Sequence, residues 1–340
     1  MIGITIGDVS GIGPEIVFKA LAQIKNPERC ITIIGPRKIL EDINHKIGTR
    51  FSQDLSLISR VSPAPIYASH KRINHTTKID KNLVENRGGV NLVESGGSFS
   101  YKFGKPQKQC GIASFLQLHL ASHLLKTGKI KGIVTAPVSK TALAMAGFPY
   151  AGQTEYFATE FGVKKYGMLA WSKDLKIILV TIHKPLKDVP KLITEQNVLE
   201  KIKLLNDYLI CFEKKRKPKI GVLALNPHAF EFSCGAEDKI LKAVKQARKL
   251  GISAQGPIPA DSAFSNLGIA FDAYVAMYHD QGMLPVKLLA KGTGTNMTLG
   301  LPFIRTAPLH GVAFDIAGKG IANPNAMLNA IQLCQKLTQH

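Results

Sequence analysis

The stretch that decides the fold of this chain is residues 277–325, MYHDQGMLPVKLLAKGTGTNMTLGLPFIRTAPLHGVAFDIAGKGIANPN. An apolar, strand-like run ends at His279, a glycine-rich turn lies between Lys287 and Arg305, and a second glycine loop opens at His310. Polar groups at strand ends, followed by glycine turns, are where α/β enzymes place ligands. The stretch therefore predicts an α/β enzyme. The alternative is a loop-rich connection between core elements, which its length disfavours because long loops in compact domains are usually functional.

The composition is typical of a soluble globular protein. The chain has 340 residues, of which 45% are hydrophobic and 20% charged, and this is enough for one large or two intimate domains. No uninterrupted apolar run has membrane-spanning length, and the N-terminal MIGITIGDVSGIGPE lacks the basic region of a secretory signal. The five cysteines are dispersed without a CxxC pair, as expected for reduced thiols. We therefore predict a cytoplasmic protein with no membrane association.

The chain is strongly basic, with a formal net charge of +20. Excess basicity can indicate nucleic-acid binding, but the lysines are spread along the chain. One cluster, KKRKPK at residues 214–219, falls between a helical segment and a strand, and we interpret it as a solvated linker. A positive field also attracts phosphorylated substrates and dinucleotides. We expect a small anionic ligand and no nucleic-acid partner.

Three separate strand-like runs each end in a histidine. The sequences are VTIH at His183, ALNPH at His228 and AMYH at His279. Parallel strands bring their carboxyl ends to one crevice, and three neutral imidazoles with open positions are the composition of a catalytic metal site. The alternative is coincidence among structural histidines, and the pattern alone leaves both interpretations open.

Motifs along nearly the whole chain resemble those of the 4-hydroxythreonine-4-phosphate dehydrogenase family of vitamin B6 biosynthesis. They are, in order, GDVSGIGPEI, VTAPVSK, GQTEYFA, TIHKPLKDVP, LNPHA, GPIPADSAF, MYHDQGMLPVK and NMTLGLPFIRT. The later HGVAFDIAGKGIANPNA is similar to the adenosine-binding loop of isopropylmalate dehydrogenases. The resemblance implies an α/β protein with the isocitrate/isopropylmalate dehydrogenase-like fold, two α/β domains with a cleft between them. We expect residues 1–135 with 294–340 to form the terminal, NAD-loop domain, and 136–293 the central substrate, metal and dimerisation domain.

The resemblance also implies a reaction. This is the NAD-linked oxidation of 4-phosphooxy-L-threonine, whose β-keto acid product loses CO2 to give 3-amino-2-oxopropyl phosphate. In the family, three strand-end histidines bind one divalent metal ion (Zn, Mg or Co), so that role passes to His183, His228 and His279. One of the three is expected from the partner subunit, which makes a homodimer necessary for catalysis.

Further residues are assigned by the same resemblance. The substrate-binding residues are Gln153, Thr154, Lys287, Asn296 and Arg305. The NAD-binding residues are His310, Gly311, Asp315 and Asn323, with Asp315 holding the adenosine ribose hydroxyls and favouring NAD over NADP. Three residues are candidates for the general base, and geometry is needed to choose among them. They are Asp261, Asp280 and Lys287.

The chain departs from the family pattern at three places. Gln153 stands where the family has a substrate-contacting histidine, and glutamine cannot carry a proton. A bulky turn at residues 230–234 replaces a glycine-rich one, and Leu309 replaces an aspartate. Two rival hypotheses therefore stay open. One is a related dehydrogenase acting on another phosphorylated hydroxy acid, such as 4-phospho-D-threonate, or on a cis-diol, and the other is a non-catalytic binding paralogue.

Overall fold

The computed structural model describes residues 1–24, 31–47, 59–61, 90–95, 99–265, 267 and 270–339. The strands are β1 (Ile2–Thr5), β2 (Ile31–Gly35), β3 (Ser59–Val61), β4 (Val90–Glu94), β5 (Gly132–Thr135), β6 (Gly167–Trp171), β7 (Lys176–Leu179), β8 (Ile220–Leu223), β9 (Ala254–Ile258), β10 (Ala273–Ala276), β11 (Thr295–Leu299) and β12 (Ile304–Pro308). The α-helices are α1 (Gly13–Leu21), α2 (Arg37–Ile47), α3 (Lys108–Lys126), α4 (Lys140–Met145), α5 (Gln153–Glu160), α6 (Val189–Leu192), α7 (Glu195–Cys211), α8 (Ala236–Lys249), α9 (Ala260–Ser265), α10 (His279–Ala290) and α11 (Asn325–Leu337). This mixture of strands and helices confirms the predicted α/β class.

The described residues form two compact units. The first comprises residues 1–160 with 303–339, and the second comprises residues 161–302. Helices α4 and α5 belong to the first unit, although the sequence places them in the predicted central domain. The chain passes from the first unit to the second after α5 and returns before β12. Both terminal segments therefore belong to the first unit.

The first unit is built on a parallel sheet. Its strands follow the order β3-β4-β2-β1-β5-β12, and every neighbouring pair is parallel. Strand β1 is buried along its whole length, as expected for a strand with helices over both faces of its sheet. The core packs this sheet against α1 and α11, with Ile4, Phe18 and Ile331 fully buried. Each such side chain stabilises the fold by roughly 1.5–3 kcal/mol before entropic costs.

The second unit has a mixed sheet in the order β11-β6-β7-β10-β8-β9. The pairs β11–β6 and β6–β7 are antiparallel. The pairs β7–β10, β10–β8 and β8–β9 are parallel. The carboxyl ends of β7, β10 and β8 therefore lie next to one another at one edge, which is where ligands bind in open α/β sheets.

Three features of the structure bear on the expectations from composition. The basic run at 214–219 lies between α7 and β8 with its lysine and arginine side chains exposed, and Lys215 pairs with Asp272 at 2.9 Å. Within the described ranges, no helix has both the length and the apolarity to cross a bilayer. Four cysteines have free thiols, namely Cys110, Cys211, Cys234 and Cys334, and Cys30 lies outside the described residues.

Helix α3 approaches α4 so closely that only glycine fits at the contact. A Cβ on Gly111 would stand 1.9 Å from the carbonyl oxygen of Ala142 and 2.4 Å from its carbonyl carbon. Both are backbone atoms and cannot rotate away. The contact therefore fixes α4, which is the next element after β5 in the chain.

We expect Gly111→Ala to lower the free energy of unfolding by about 1–3 kcal/mol, the usual cost of overpacking. This expected loss of stability is opposite in sign to the effect of helix propensity, which favours alanine over glycine by about 1 kcal/mol. Urea unfolding measures the effect. The control is Gly311→Ala, where an added Cβ meets nothing within 4 Å. A Gly111→Ala protein as stable as the wild type contradicts the close approach.

A buried carboxylate holds the turn that follows β8. Glu237, in the first turn of α8, has 0% exposure and accepts hydrogen bonds from the backbone nitrogen of Asn226 at 2.9 Å and from its side-chain amide at 3.1 and 3.2 Å. Burial by itself raises the pKa of Glu237. Hydrogen bonds from the Ser233 side chain and from Asn226 outweigh it, so the pKa lies below its ordinary value of 4.5.

We expect Glu237→Gln to lower the free energy of unfolding by about 1–3 kcal/mol at pH 7, the scale for a charge-assisted hydrogen bond. Because folding lowers the pKa of Glu237, its contribution is present above the unfolded-state pKa and is lost as pH falls through the folded-state value. The difference between wild type and variant should therefore shrink below about pH 4.5. Urea unfolding from pH 7 to pH 3 measures it, with Glu195→Gln in the first turn of α7 as control. A difference that stays constant with pH overturns the assignment.

Candidate functional site

The three predicted histidines follow the adjacent ends of β7, β10 and β8. His183 comes after β7, His279 begins α10 directly after β10, and His228 comes after β8. His183 and His228 have positive φ angles of 49° and 53°. Non-glycine residues seldom adopt this conformation, and strained backbone of this kind is concentrated at functional sites.

Two of the three imidazoles lie together within the chain. The ring centroids of His183 and His279 are 5.5 Å apart. The Nδ1 atom of His279 lies 2.7 Å from Oδ1 of Asp280, and this contact orients the ring so that Nε2 points away and can bind a ligand. The ring of His228 instead lies 5.9 Å from that of Phe232. The described residues contain no group of three or more His, Cys, Asp or Glu side chains that could hold a metal ion.

The chemistry of this pair fits a divalent metal ion in part. Neutral imidazoles are ligands that Zn²⁺ and related ions prefer, and a carboxylate behind one of them is the usual outer partner of a metal-binding histidine. Two imidazoles are fewer than the three protein ligands of a typical catalytic zinc site. A complete site therefore needs at least one further donor beside His183 and His279.

A buried arginine and two threonine hydroxyls form a hydrogen-bonded network in the first unit. Arg305, on β12, is only 4% exposed. Its Nη1 donates to Oγ1 of Thr154 at 2.9 Å, and its Nη2 donates to Oγ1 of Thr135 at 3.0 Å. Burial lowers the pKa of Arg305 to about 10, while the Glu155 carboxylate acts in the opposite direction, so the guanidinium stays charged at neutral pH. Such a preorganised fork suits a phosphate or carboxylate.

Sequence reasoning missed Thr135 in this network. It is the last residue of β5 and lies within the VTAPVSK motif, which was the available signal. Its hydroxyl orients the guanidinium of Arg305 from the neighbouring strand.

Gln153 lies beside this network with one unsatisfied atom. Its Nε2 donates to the carbonyl of Ala136 at 3.2 Å, which fixes the amide. Its Oε1 is buried and accepts no hydrogen bond from the described residues. Buried acceptors in folded proteins are usually satisfied, so Oε1 is a candidate to accept from a ligand or an ordered water molecule.

The remaining substrate and base candidates lie in the second unit. Lys287 is an exposed residue of α10, and Asn296 is a partly buried residue of β11 whose Oδ1 is buried without a donor among the described residues. Asp261, in the first turn of α9, and Asp280, in the first turn of α10, are both exposed. Of the three candidates for the general base, Asp280 contacts the proposed metal ligand His279 at 2.7 Å.

The predicted NAD loop runs between β12 and α11. The four residues of this loop that are predicted to bind NAD are all exposed, namely His310, Gly311, Asp315 and Asn323. The Oδ1 atom of Asn323 accepts from the backbone nitrogen of Asn325 at 2.8 Å, which fixes the start of α11.

Two residues of α1 hold this loop in place. Glu15, 3% exposed, accepts from the backbone nitrogen of Ala322 at 2.8 Å. Lys19 donates to the carbonyls of Gly320 and Ala322 at 2.6 and 3.1 Å and pairs with Glu15 at 2.8 Å. The loop partners of Glu15 and Lys19 are about 300 residues away in the chain, so no local sequence pattern indicates them.

Comparison with known proteins identifies the family. The family model described as "Pyridoxal phosphate biosynthetic protein PdxA" matches residues 28–334. The 4-hydroxythreonine-4-phosphate dehydrogenase of Sulfurihydrogenibium sp. (strain YO3AOP1) is 39% identical over 339 residues, which cover 98% of this chain and 96% of that protein. A protein of Oceanobacillus iheyensis, named "Putative D-threonate 4-phosphate dehydrogenase", is 37% identical and covers 97% of this chain and 96% of its own length.

A solved structure gives the same result at the level of the fold. The crystal structure of 4-hydroxythreonine-4-phosphate dehydrogenase from Klebsiella pneumoniae matches with a TM-score of 0.79 and 31% identity, covering 100% of this chain and 99% of that one. Agreement in sequence and fold over the full length confirms the resemblance first seen in the motifs. The chain therefore belongs to the PdxA family of pyridoxal phosphate biosynthetic proteins.

Proposed function

We propose that this protein is an NAD-dependent, divalent-metal-dependent dehydrogenase of 4-phosphooxy-L-threonine in pyridoxal 5′-phosphate biosynthesis. The secondary alcohol passes a hydride to NAD⁺ and a proton to a base, and the β-keto acid then loses CO2 to leave 3-amino-2-oxopropyl phosphate. Family membership supports the substrate and the reaction class. The single observation that carries the mechanism is the pair of imidazoles, His183 and His279, 5.5 Å apart at the edge of a sheet.

The proposed metal ligands are His183, His228 and His279, binding one ion of Zn, Mg or Co. When bound, a divalent metal ion supplies Lewis acidity that favours ionisation of the alcohol and stabilises negative charge on the adjacent carbon skeleton. The chain's own contribution is to keep the imidazoles oriented, as Asp280 does for His279. A second copy of the chain completes the donor set in this proposal.

Exposed leucines on α10 support the homodimer. Leu284, Leu288 and Leu289 are 59%, 74% and 41% exposed, and Leu284 and Leu288 are one helical turn apart on one face. These side chains belong to the helix that begins at His279. Phe230 and Phe232, directly after His228, are likewise 49% and 56% exposed. Exposed apolar residues grouped next to two of the histidines are typical of an interface, and covering them would bring a second polypeptide to the proposed metal ligands.

The substrate's anionic groups are assigned to the buried polar residues. In our proposal Arg305 and Thr154 hold a phosphate or carboxylate, and the unsatisfied amide oxygen of Gln153 accepts from a donor on the substrate. Asn296 and Lys287 complete the contacts. Asp261, Asp280 and Lys287 remain the candidates for the base that takes the alcohol proton.

The cofactor is proposed to lie along the loop after β12. Asp315 would accept hydrogen bonds from the two ribose hydroxyls and disfavour a 2′-phosphate, and His310, Gly311 and Asn323 would lie along the adenosine. The anchoring of this loop by Glu15 and Lys19 supports a role that needs fixed geometry. We place the enzyme in the cytoplasm, where the free thiols of its four described cysteines are stable.

One specific observation supports an alternative substrate. The resemblance implies a histidine at the position of Gln153, and a glutamine amide cannot exchange a proton as an imidazole does. The amide nitrogen of Gln153 donates to the carbonyl of Ala136. The relative from Oceanobacillus iheyensis is named for D-threonate 4-phosphate at 37% identity, close to the 39% of the relative named for 4-hydroxythreonine 4-phosphate. The alternative is thus oxidation of 4-phospho-D-threonate on the same scaffold.

The substrate is tested by comparing NADH formation from the two phosphorylated compounds. We expect kcat/KM for 4-phosphooxy-L-threonine to exceed that for 4-phospho-D-threonate by at least about tenfold, a difference of about 1.4 kcal/mol in transition-state binding. The reverse preference establishes the alternative substrate. Tight binding of either compound without NADH formation, in the presence of Zn²⁺, Mg²⁺ or Co²⁺, identifies a non-catalytic paralogue.

The metal site is tested by His228→Ala. We expect this variant to lose stoichiometric metal binding and nearly all turnover while keeping its fold, because His228 is exposed and supports no core packing. Metal content, turnover and circular dichroism are compared with His45→Ala, which alters an exposed histidine of α2. Normal turnover by metal-stripped His228→Ala protein refutes the metal assignment.

A further inference from the structure

Hydrogen bonds beyond the regular ladder tie together the strand ends that precede the histidines. The carbonyl of Met277, just past β10, accepts from the backbone nitrogen of Thr181 at 3.2 Å and from its Oγ1 at 2.7 Å. Thr181 lies just past β7, two residues before His183. Met277 likewise lies two residues before His279. The ends of β7 and β10 are therefore joined at equivalent positions before their histidines.

The side chain of Gln281 makes the corresponding link between β10 and β8. Its Oε1 accepts from the backbone nitrogen of Met277 at 2.7 Å, and its Nε2 donates to the carbonyl of Ala224 at 2.7 Å. A carboxamide has one donor group and one acceptor, like a peptide unit. Gln281 thus links β10 and β8 beyond the residues that pair in their backbone ladder.

A similar contact holds the residue that lies two positions before the third histidine. Asn226, two residues before His228, is held by the buried Glu237. Thr181, Met277 and Asn226 are thus each fixed by hydrogen bonds and each lie two residues before a histidine. We call these contacts the strand-end brace, made by Thr181, Met277, Gln281, Ala224, Asn226 and Glu237. Gln281 is the member that joins the β10 side to the β8 side.

We propose that Gln281 is a positioning residue that sets the spacing of the strand ends carrying the metal-binding histidines. The inference rests on the proposed metal site and assigns a role to a residue that touches neither the metal nor the substrate. Without its amide, the nitrogen of Met277 and the carbonyl of Ala224 lose partners at residues that are 0% and 1% exposed, a situation that folded proteins avoid. The strand ends would shift to satisfy these groups, and metal–ligand distances tolerate only about 0.2 Å.

The test measures the affinity of the metal-free, full-length enzyme for Co²⁺ by visible absorption, independently of turnover. We expect Gln281→Met, which keeps the side-chain length but has no amide, to weaken Co²⁺ binding by about 10–100-fold, the usual effect of removing an outer partner of a metal ligand. Its Co²⁺ absorption bands should also change in position or intensity, because the ligand geometry changes.

The matched control is Gln117→Met. The amide of Gln117 also bridges backbone groups, accepting from the nitrogen of Gly7 at 2.9 Å and donating to its carbonyl at 3.0 Å, but it lies in the first unit. It should lower thermal stability while leaving Co²⁺ affinity and spectrum unchanged. If Gln281→Met behaves like this control, with lower stability and wild-type Co²⁺ binding, the proposed role is wrong.

Two further outcomes are decisive. If Gln281→Met does not fold, Thr181→Val replaces it, because it removes only the Oγ1 contact to Met277 and keeps the backbone hydrogen bond. A loss of Co²⁺ affinity of about threefold or more then supports the brace, and unchanged affinity overturns it. Failure of the wild-type enzyme to bind Co²⁺ refutes the proposed metal site itself, and the role of Gln281 with it.

Discussion

The constraint on which the second unit depends is the parallel pairing of β10 with both β7 and β8. Parallel strands are buried on both faces, so their residues must be apolar, and here β10 and β8 are buried throughout. Polar chemistry can only follow where a strand ends. The pairing places three such ends together, and each continues into a histidine-bearing segment. The position of the candidate site is thus a consequence of how this sheet satisfies its backbone hydrogen bonds.

Buried charges in this protein are used to hold loops rather than to stabilise the core. Glu15 and Glu237 are almost fully buried, and each accepts hydrogen bonds from the backbone of a loop next to the candidate sites. Arg305 is buried against threonine hydroxyls. Burying a charge is unfavourable unless hydrogen bonds compensate. The hydrogen bonds that offset this cost form only at particular distances and angles, so these residues fix the conformation of their loops. An enzyme needs such fixed geometry before its substrate binds.

Family membership concerns the whole fold, whereas the departures from the family pattern concern single side chains. The fold extends over the full length of solved relatives, while Gln153 is a single side chain next to Thr154, which accepts a hydrogen bond from Arg305. Compared with histidine, glutamine can still donate and accept hydrogen bonds but cannot exchange a proton. A pocket can therefore change the substrate it prefers without any change in strand order.

The sequence by itself determined the α/β class, the family and the candidate residues, because apolar strand runs and the motifs that follow them are local features. Only the tertiary structure shows that the rings of His183 and His279 lie 5.5 Å apart, and that the ring of His228 lies 5.9 Å from that of Phe232. It also decided that Thr135 orients Arg305, that Glu15 holds a loop about 300 residues away, and that Gln281 bridges two strands. These contacts join residues that are distant in the chain, and hydrogen bonds depend on distances and angles that no local pattern encodes.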